Sequence, residues 1–212
     1  MPVALFANEF ALLESAGQLR DEESMALHLI HEEASLDEEV LQDLVPDVLT
    51  VAVTDPRFHR INFDAVGLIL VDLAPDFLLD SQGRRLMDVL GRLAREELTL
   101  AFWGPATGVT GAYLEDGVTA GLNLIPGTVV IPDVQAVPDL RVLLERTSQA
   151  GLRLLALDGP VGAVYHHQDD TVQVLGQGSV LLASFARGDN GSQPTARLHL
   201  LSPGMRRGWP EG

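Results

Sequence analysis

Leu98-Thr99-Leu100-Ala101-Phe102-Trp103-Gly104-Pro105-Ala106-Thr107-Gly108 decides the fold class. Six apolar or β-branched residues are too few for a stable helix and are stopped abruptly by Gly-Pro, so the run reads as a buried strand entering a tight turn. Upstream, Arg84–Glu97 places Leu86, Val89, Leu90 and Leu93 on one face with Arg and Glu elsewhere, an amphipathic helix. Further back, Ala65–Val71 and Val48–Val53 are short apolar strands, and Val3–Phe6 is another. Downstream, Thr128–Ile131 is a strand ended by Pro132, Leu140–Gln149 a helix ended by Gly151, and Leu152–Leu157 the next strand. The rhythm then changes to short strands at Gly162–His166, Thr171–Leu175, Val180–Phe185 and Arg197–Leu201, with Gly188–Pro194 composed as a mobile loop.

Alternating strands and helices predict a three-layer α/β/α fold with a mostly parallel central sheet and a C-terminal antiparallel extension. One domain spans residues 1–212. Residues 21–45 read as two acidic helices within an acidic helical segment over 11–47. Ser35-Leu36-Asp37-Glu38 has the capping-box pattern, followed by Leu36, Val40, Leu41, Leu44 and Val45 on one face. In parallel sheets ligands sit where strands run into helices. Three loops qualify: Asp72-Leu73-Ala74, the turn after Trp103, and Pro132-Asp133-Val134-Gln135.

The 212 residues are 46% hydrophobic, enough for a core, and no apolar run approaches a transmembrane length. The opening decapeptide lacks a basic region and reaches Glu9 early, so no signal peptide is expected and the location predicted is cytoplasmic. Zero Cys excludes disulfides, thiol nucleophiles and thiolate metal sites. All fourteen basic residues are Arg, which excludes a Walker lysine or a Schiff-base lysine. The net charge is −16, and residues 1–50 alone hold twelve acids and one Arg, net −11. Such a surface repels phosphate backbones, so neither nucleic acid nor membrane is an expected partner.

At the turn after Trp103 the chain resembles the serine peptidases of the cyanophycinase and peptidase E type, which share a class I glutamine-amidotransferase-like fold. Asn8-Glu9-Phe10 is similar to the end of that family's opening strand and turn, and Ala65–Asp72 to the strand entering its Gly-Gly-Asp loop. Leu98–Ala112 is similar to its strand and nucleophile elbow, Gly-Thr/Cys-Ser-Ala-Gly-Ala. Gly121–Gly127, Leu155–Ser184 and His199–Gly204 follow the family's later segments in order. The resemblance covers about residues 48–205 and the first ten.

The family's catalytic residues are not carried over. Sliding Gly104–Gly108 onto the elbow puts Ala106 at the serine, Asp133 at the histidine position and Gly159 at the acid. An alanine has no lone pair with which to attack a carbonyl. The resemblance therefore implies a non-catalytic relative: a binding, regulatory or structural protein without a cofactor, expected as a homodimer holding a small-molecule or peptide ligand. A ligand would meet Asp72, Gly104, Thr107, Gly108, Asp133 and Gln135, but the turn is expected to have relaxed at Ala106, with Trp103 or Leu73 partly filling the crevice, because Val71-Asp72-Leu73-Ala74 stands where the family has glycines. Two alternatives stay open. One is a hydrolase with a relocated site in the same crevice, with Thr107 or Thr110 attacking and Asp72 and Asp133 assisting. The other is a metal-binding module on the acidic helices, with His28, His31 and Glu32 at helical spacing. His166-His167-Asp169-Asp170 reads as an exposed hairpin tip.

Overall fold

The computed structural model describes residues 1–19, 23–93, 98–186 and 195–210. The predicted loop at 188–194 lies outside the described residues. In chain order the elements are β1 (Pro2–Phe6), α1 (Glu9–Ser15), β2 (Met25–Ile30), α2 (Glu38–Leu44), β3 (Val48–Ala52), β4 (Val66–Asp72), α3 (Pro75–Leu79), α4 (Ser81–Leu93) and β5 (Thr99–Trp103). There follow α5 (Pro105–Gly108), β6 (Gly111–Tyr113), β7 (Ile125–Ile131), α6 (Leu140–Gln149), β8 (Arg153–Asp158), β9 (Val161–His166), β10 (Thr171–Gly176), β11 (Ser179–Ala186), β12 (Thr195–Leu201) and β13 (Arg206–Gly208).

The chain is α/β, but its strands form two mixed sheets rather than one central sheet. The first runs β13-β10-β9-β1-β5-β4-β2-β3, and the second β12-β11-β8-β7-β6. From β3 to β1 the first sheet is parallel; β9, β10 and β13 extend it antiparallel. In the second sheet β6, β7 and β8 are parallel, and β11 and β12 antiparallel. Both faces of the central strands are apolar, which lets a second sheet stack where a single helix layer was expected. Val3, Leu5, Leu29, Val71, Leu100 and Phe102 of the first sheet share a core with Val130, Leu155, Leu157, Val180 and Leu182 of the second. On the far side of the first sheet, α1 and α2 cover Phe6, Leu68, Leu70 and Ala101. On the far side of the second, α6 covers Val129, Ile131, Leu154 and Ala156.

The acidic segment is the largest departure from the sequence expectation. Met25–Ile30 is a strand, not a helix, in parallel register with both β3 and β4. Ala26, Leu27, His28 and Leu29 are almost wholly buried, so the strand has no polar face and no alternation to read. Only α2 of the two predicted helices forms. Its cap is Asp37, whose side chain accepts from the Glu39 and Val40 amides. Ser35, the expected cap, is used elsewhere.

Candidate functional site

A cleft of about 680 Å³ opens at the carboxyl ends of the parallel strands, the position that such sheets reserve for ligands. Its floor is Trp103, Gly104, Pro105 and Ala106; Leu73 and Pro75 form a wall, and Glu9, His31, Glu32 and Glu33 the rim. Trp103 is buried, so it packs beneath the turn instead of filling the space above. The crevice is open, contrary to the expectation that Trp103 or Leu73 would block it.

Ala106 is relaxed, as expected: it does not have positive φ and sits inside the single turn α5. The residue in that conformation is Gly104, at φ 55° and ψ −138°, a region nearly closed to side chains. Gly104 donates its amide to the Phe6 carbonyl at 3.1 Å and accepts from the Thr107 amide at 3.1 Å. A Cβ on Gly104 would meet nothing within 4 Å. The backbone is thus held by β1 on one side while the missing side chain faces free space.

Beside the floor lies a polar network that the sequence did not announce. His28 Nε2 donates to Asp72 Oδ2 at 3.1 Å, and its Nδ1 lies 3.4 Å from Thr50 Oγ1. The same carboxylate accepts the Ser35 amide at 2.6 Å and the Leu36 amide at 3.4 Å, while Oδ1 accepts the Ser35 hydroxyl at 2.6 Å. Burial raises the Asp72 pKa, but the hydrogen bonds from His28 and Ser35 outweigh it and hold the carboxyl below its ordinary value. Serine, aspartate and histidine therefore meet, but in the wrong order for acyl transfer. A nucleophilic serine needs the imidazole between itself and the acid. Here the carboxylate stands in the middle, and a carboxylate of low pKa is a poor base. The arrangement can pin the loop of residues 31–36, which carries half the rim, onto the end of β4.

The remaining predicted residues separate. Asp133, Gln135 and Gly159 line a second hollow of about 180 Å³, and Asn8 lines both. There Asp133 caps the Gln135 amide at 2.9 Å and Gln135 Nε2 donates to Asp158 at 2.9 Å. Thr107 and Thr110 are fully buried, and neither lines the cleft. Their hydroxyls donate to the Phe6 carbonyl at 3.0 Å and the Thr107 carbonyl at 2.7 Å. Gly108 packs against Pro132 and does not reach the cleft. His28, His31 and Glu32 share no helix: His28 is locked under Asp72, and His31 stacks on Phe77 at 4.4 Å. Among the described residues no group of three His, Cys, Asp or Glu is placed to hold a metal ion.

The hairpin between β9 and β10 is a tie rather than a ligand site. Asp170 accepts from Arg153, Tyr165 and Trp209, and Asp169 from Arg206 and Thr171. Burial and the Asp170 hydrogen bond push the Tyr165 hydroxyl up to about 12. Burial foremost lowers the pKa of both His166 and His167. These contacts fasten β13 to the edge of the first sheet.

Among solved structures, the chain is similar to one described as the crystal structure of a peptidase from an acI-B1 Actinobacterium. The TM-score is 0.65 at 16% identity, over 98% of this chain and 96% of that one. The fold is peptidase-like. No family model matches the chain, and no curated protein matches it. No helix among the described residues is long and apolar enough to cross a membrane.

Proposed function

We propose that this chain is a non-catalytic relative of the cyanophycinase and peptidase E type of serine peptidases, with a class I glutamine-amidotransferase-like ancestry, that binds a small-molecule or peptide ligand in the cleft above Gly104. The observation that carries this is the turn after β5. A nucleophile elbow is a strained strand-to-helix turn that lifts one side chain into a crevice. Gly104 has such a backbone, sits at the end of a strand before a helix, and faces open space, yet has no side chain to lift. The peptidase-like fold supports the ancestry, and the open cleft supports binding over a purely structural role. The relocated hydrolase is less well supported, because Thr107 and Thr110 spend their hydroxyls on buried carbonyls. The metal module lost its helix.

Two measurements test the proposal. Intact mass after treatment with a fluorophosphonate should show no adduct, and dipeptides and esters should not be turned over; stoichiometric labelling overturns it. The second is Gly104→Ser. The side chain has room, so the protein should fold with a loss of about 1–2 kcal/mol for the strained backbone. It should remain unlabelled and inactive, as should Ala106→Ser. The cleft's imidazole, His31, lies flat on Phe77, and His28 donates to Asp72. Turnover by either variant would place a working base in the cleft and overturn the reading that the base and acid are gone along with the nucleophile.

A further inference from the structure

The second sheet ends in an edge that the monomer leaves unused. β12 runs seven residues in unbroken antiparallel register with β11, and no described strand pairs with its other side. Edge strands are normally blunted by Lys, Pro, bulges or a covering element. Within Thr195–Leu201 there is no Pro and no bulge, and the one permanently charged side chain is Arg197. Two of its leucines are strongly exposed, Leu198 at 51% and Leu200 at 68%. Residues two apart share a sheet face, so Ala196, Leu198 and Leu200 point the same way. Their partners on β11 are Phe185, Ala183 and Leu181, which belong to the face covered by α6. On that face a groove of about 360 Å³ runs between α6 and the sheet, lined by Leu144, Ser148, Phe185 and Ala196.

We infer that β12 is the homodimer interface, pairing antiparallel with β12 of a second copy about a two-fold axis at Leu198. That register sets Leu198 opposite Leu198 and, on the same face, Ala196 opposite the second copy's Leu200. Directly opposed side chains in an antiparallel pair sit about 5 Å apart. Each copy's most exposed leucine is thereby brought to the rim of the other's groove, knob to hole, with both halves supplied by one strand. Such self-complementarity is what a closed two-fold contact requires. On the opposite face Arg197 stands across from His199. Charge favours the same place: a chain of net −16 repels its own copies, and β12 contains no carboxylate. The acid at the groove, Glu145, is paired with Arg141 at 3.1 Å. Dimerisation would join two five-stranded sheets into one of ten, on a surface separate from the cleft, so it does not depend on the function proposed above.

Sedimentation equilibrium from about 1 to about 100 µM tests this, a range that brackets a micromolar dissociation constant. The wild-type chain should dimerise. Leu198→Glu with Leu200→Glu should weaken dimerisation at least about tenfold, because the carboxylates at 198 would face each other across the axis and those at 200 would be buried against the second copy's Ala196. Both leucines are exposed in the monomer, so folding should survive; should the double variant unfold, Leu200→Lys is read instead. Val118→Glu, at a site 80% exposed and remote in sequence from β12, should change nothing. A wild-type chain that stays monomeric throughout, or a folded β12 variant that dimerises as tightly as wild type, overturns the inference.

Discussion

Replacing Asp72 with alanine is expected to remove on the order of 3–4 kcal/mol of stability at neutral pH and to abolish the ligand binding proposed for the cleft. The side chain is only 10% exposed and is the common acceptor for His28, the Ser35 amide and hydroxyl, and the Leu36 amide. Alanine leaves the His28 Nε2–H buried at 1% exposure with its acceptor gone. It also frees the loop that bears His31, Glu32 and Glu33, and with it Leu36, which is buried under the first sheet. Asp72→Asn keeps an acceptor oxygen of the same size and should cost about half as much. Urea unfolding measures both; a loss below about 1 kcal/mol for the alanine variant would mean that the network does not hold the loop. The pH dependence has a definite sign. The Asp72 pKa is lowered in the folded protein, so the unfolded chain takes up the proton first as acid is added. Its contribution is complete above the unfolded value, near 4, and fades as pH falls through the lower folded value. The stability gap between wild type and Asp72→Ala should therefore be constant from pH 7 to about 5 and shrink toward pH 3.

Much of this architecture was legible, and what was not shares a cause. β5, β7, β8 and α6 announce themselves because apolar runs or helical spacing end at Gly or Pro, and those boundaries agree with the structure within a few residues. β2 hides because a strand buried on both faces has no period, and acidic neighbours make it look like part of a helix. Its single polar residue was the available signal: a histidine in Met25–Ile30 has to find a partner once buried, and Asp72 at the end of the adjacent strand supplies it. The three candidate loops were correctly located, but sequence spacing does not say which loops share a cavity. Asp72 and the Gly104 turn do; Asp133 and Gln135 open onto a neighbour. The turn was found, and Ala106 is relaxed within it as expected; what the sequence does not show is that Gly104, two residues earlier, has the positive φ, because any pair of glycines satisfies Gly-x-Ser-x-Gly and only the backbone tells which one faces the cleft without a Cβ. That there are two sheets was beyond reach. β8 and β9 are read as consecutive strands either way, and only their packing shows that the turn at Gly159 carries the chain from one sheet to the other.

Two glycines eight residues apart on α4, Gly83 and Gly91, should respond to the same substitution with opposite signs. Alanine is preferred to glycine inside a helix by up to about 1 kcal/mol, so Gly91→Ala, exposed and with nothing within 4 Å of the added Cβ, should stabilise by up to that amount. Gly83 is in the first turn, where its amide and that of Gln82 donate to Asp80 Oδ1 at 2.7 Å. Its Cβ would stand 2.0 Å from the Phe77 carbonyl oxygen and 2.7 Å from the Leu78 Cα, atoms of the α3 backbone with no rotamer to yield. One of the two helices has to move. α4 is tied down, since Arg84 donates to the carbonyls of Ala120 and Gly121 and Met87 and Leu90 are buried in the core. The displacement therefore falls on α3, whose Leu78 leaves its fully buried site. Gly83→Ala should cost about 3 kcal/mol after its propensity gain, at the upper end for overpacking because the obstacle is main chain. The consequence reaches the cleft: α3 begins at Pro75 on its wall, and Phe77 is the surface on which His31 stacks. Thermal or urea unfolding of the two variants side by side checks the signs, and ligand binding should weaken in Gly83→Ala while Gly91→Ala binds as wild type. If both substitutions stabilise, the close approach of α3 to α4 is not the constraint that shapes this wall.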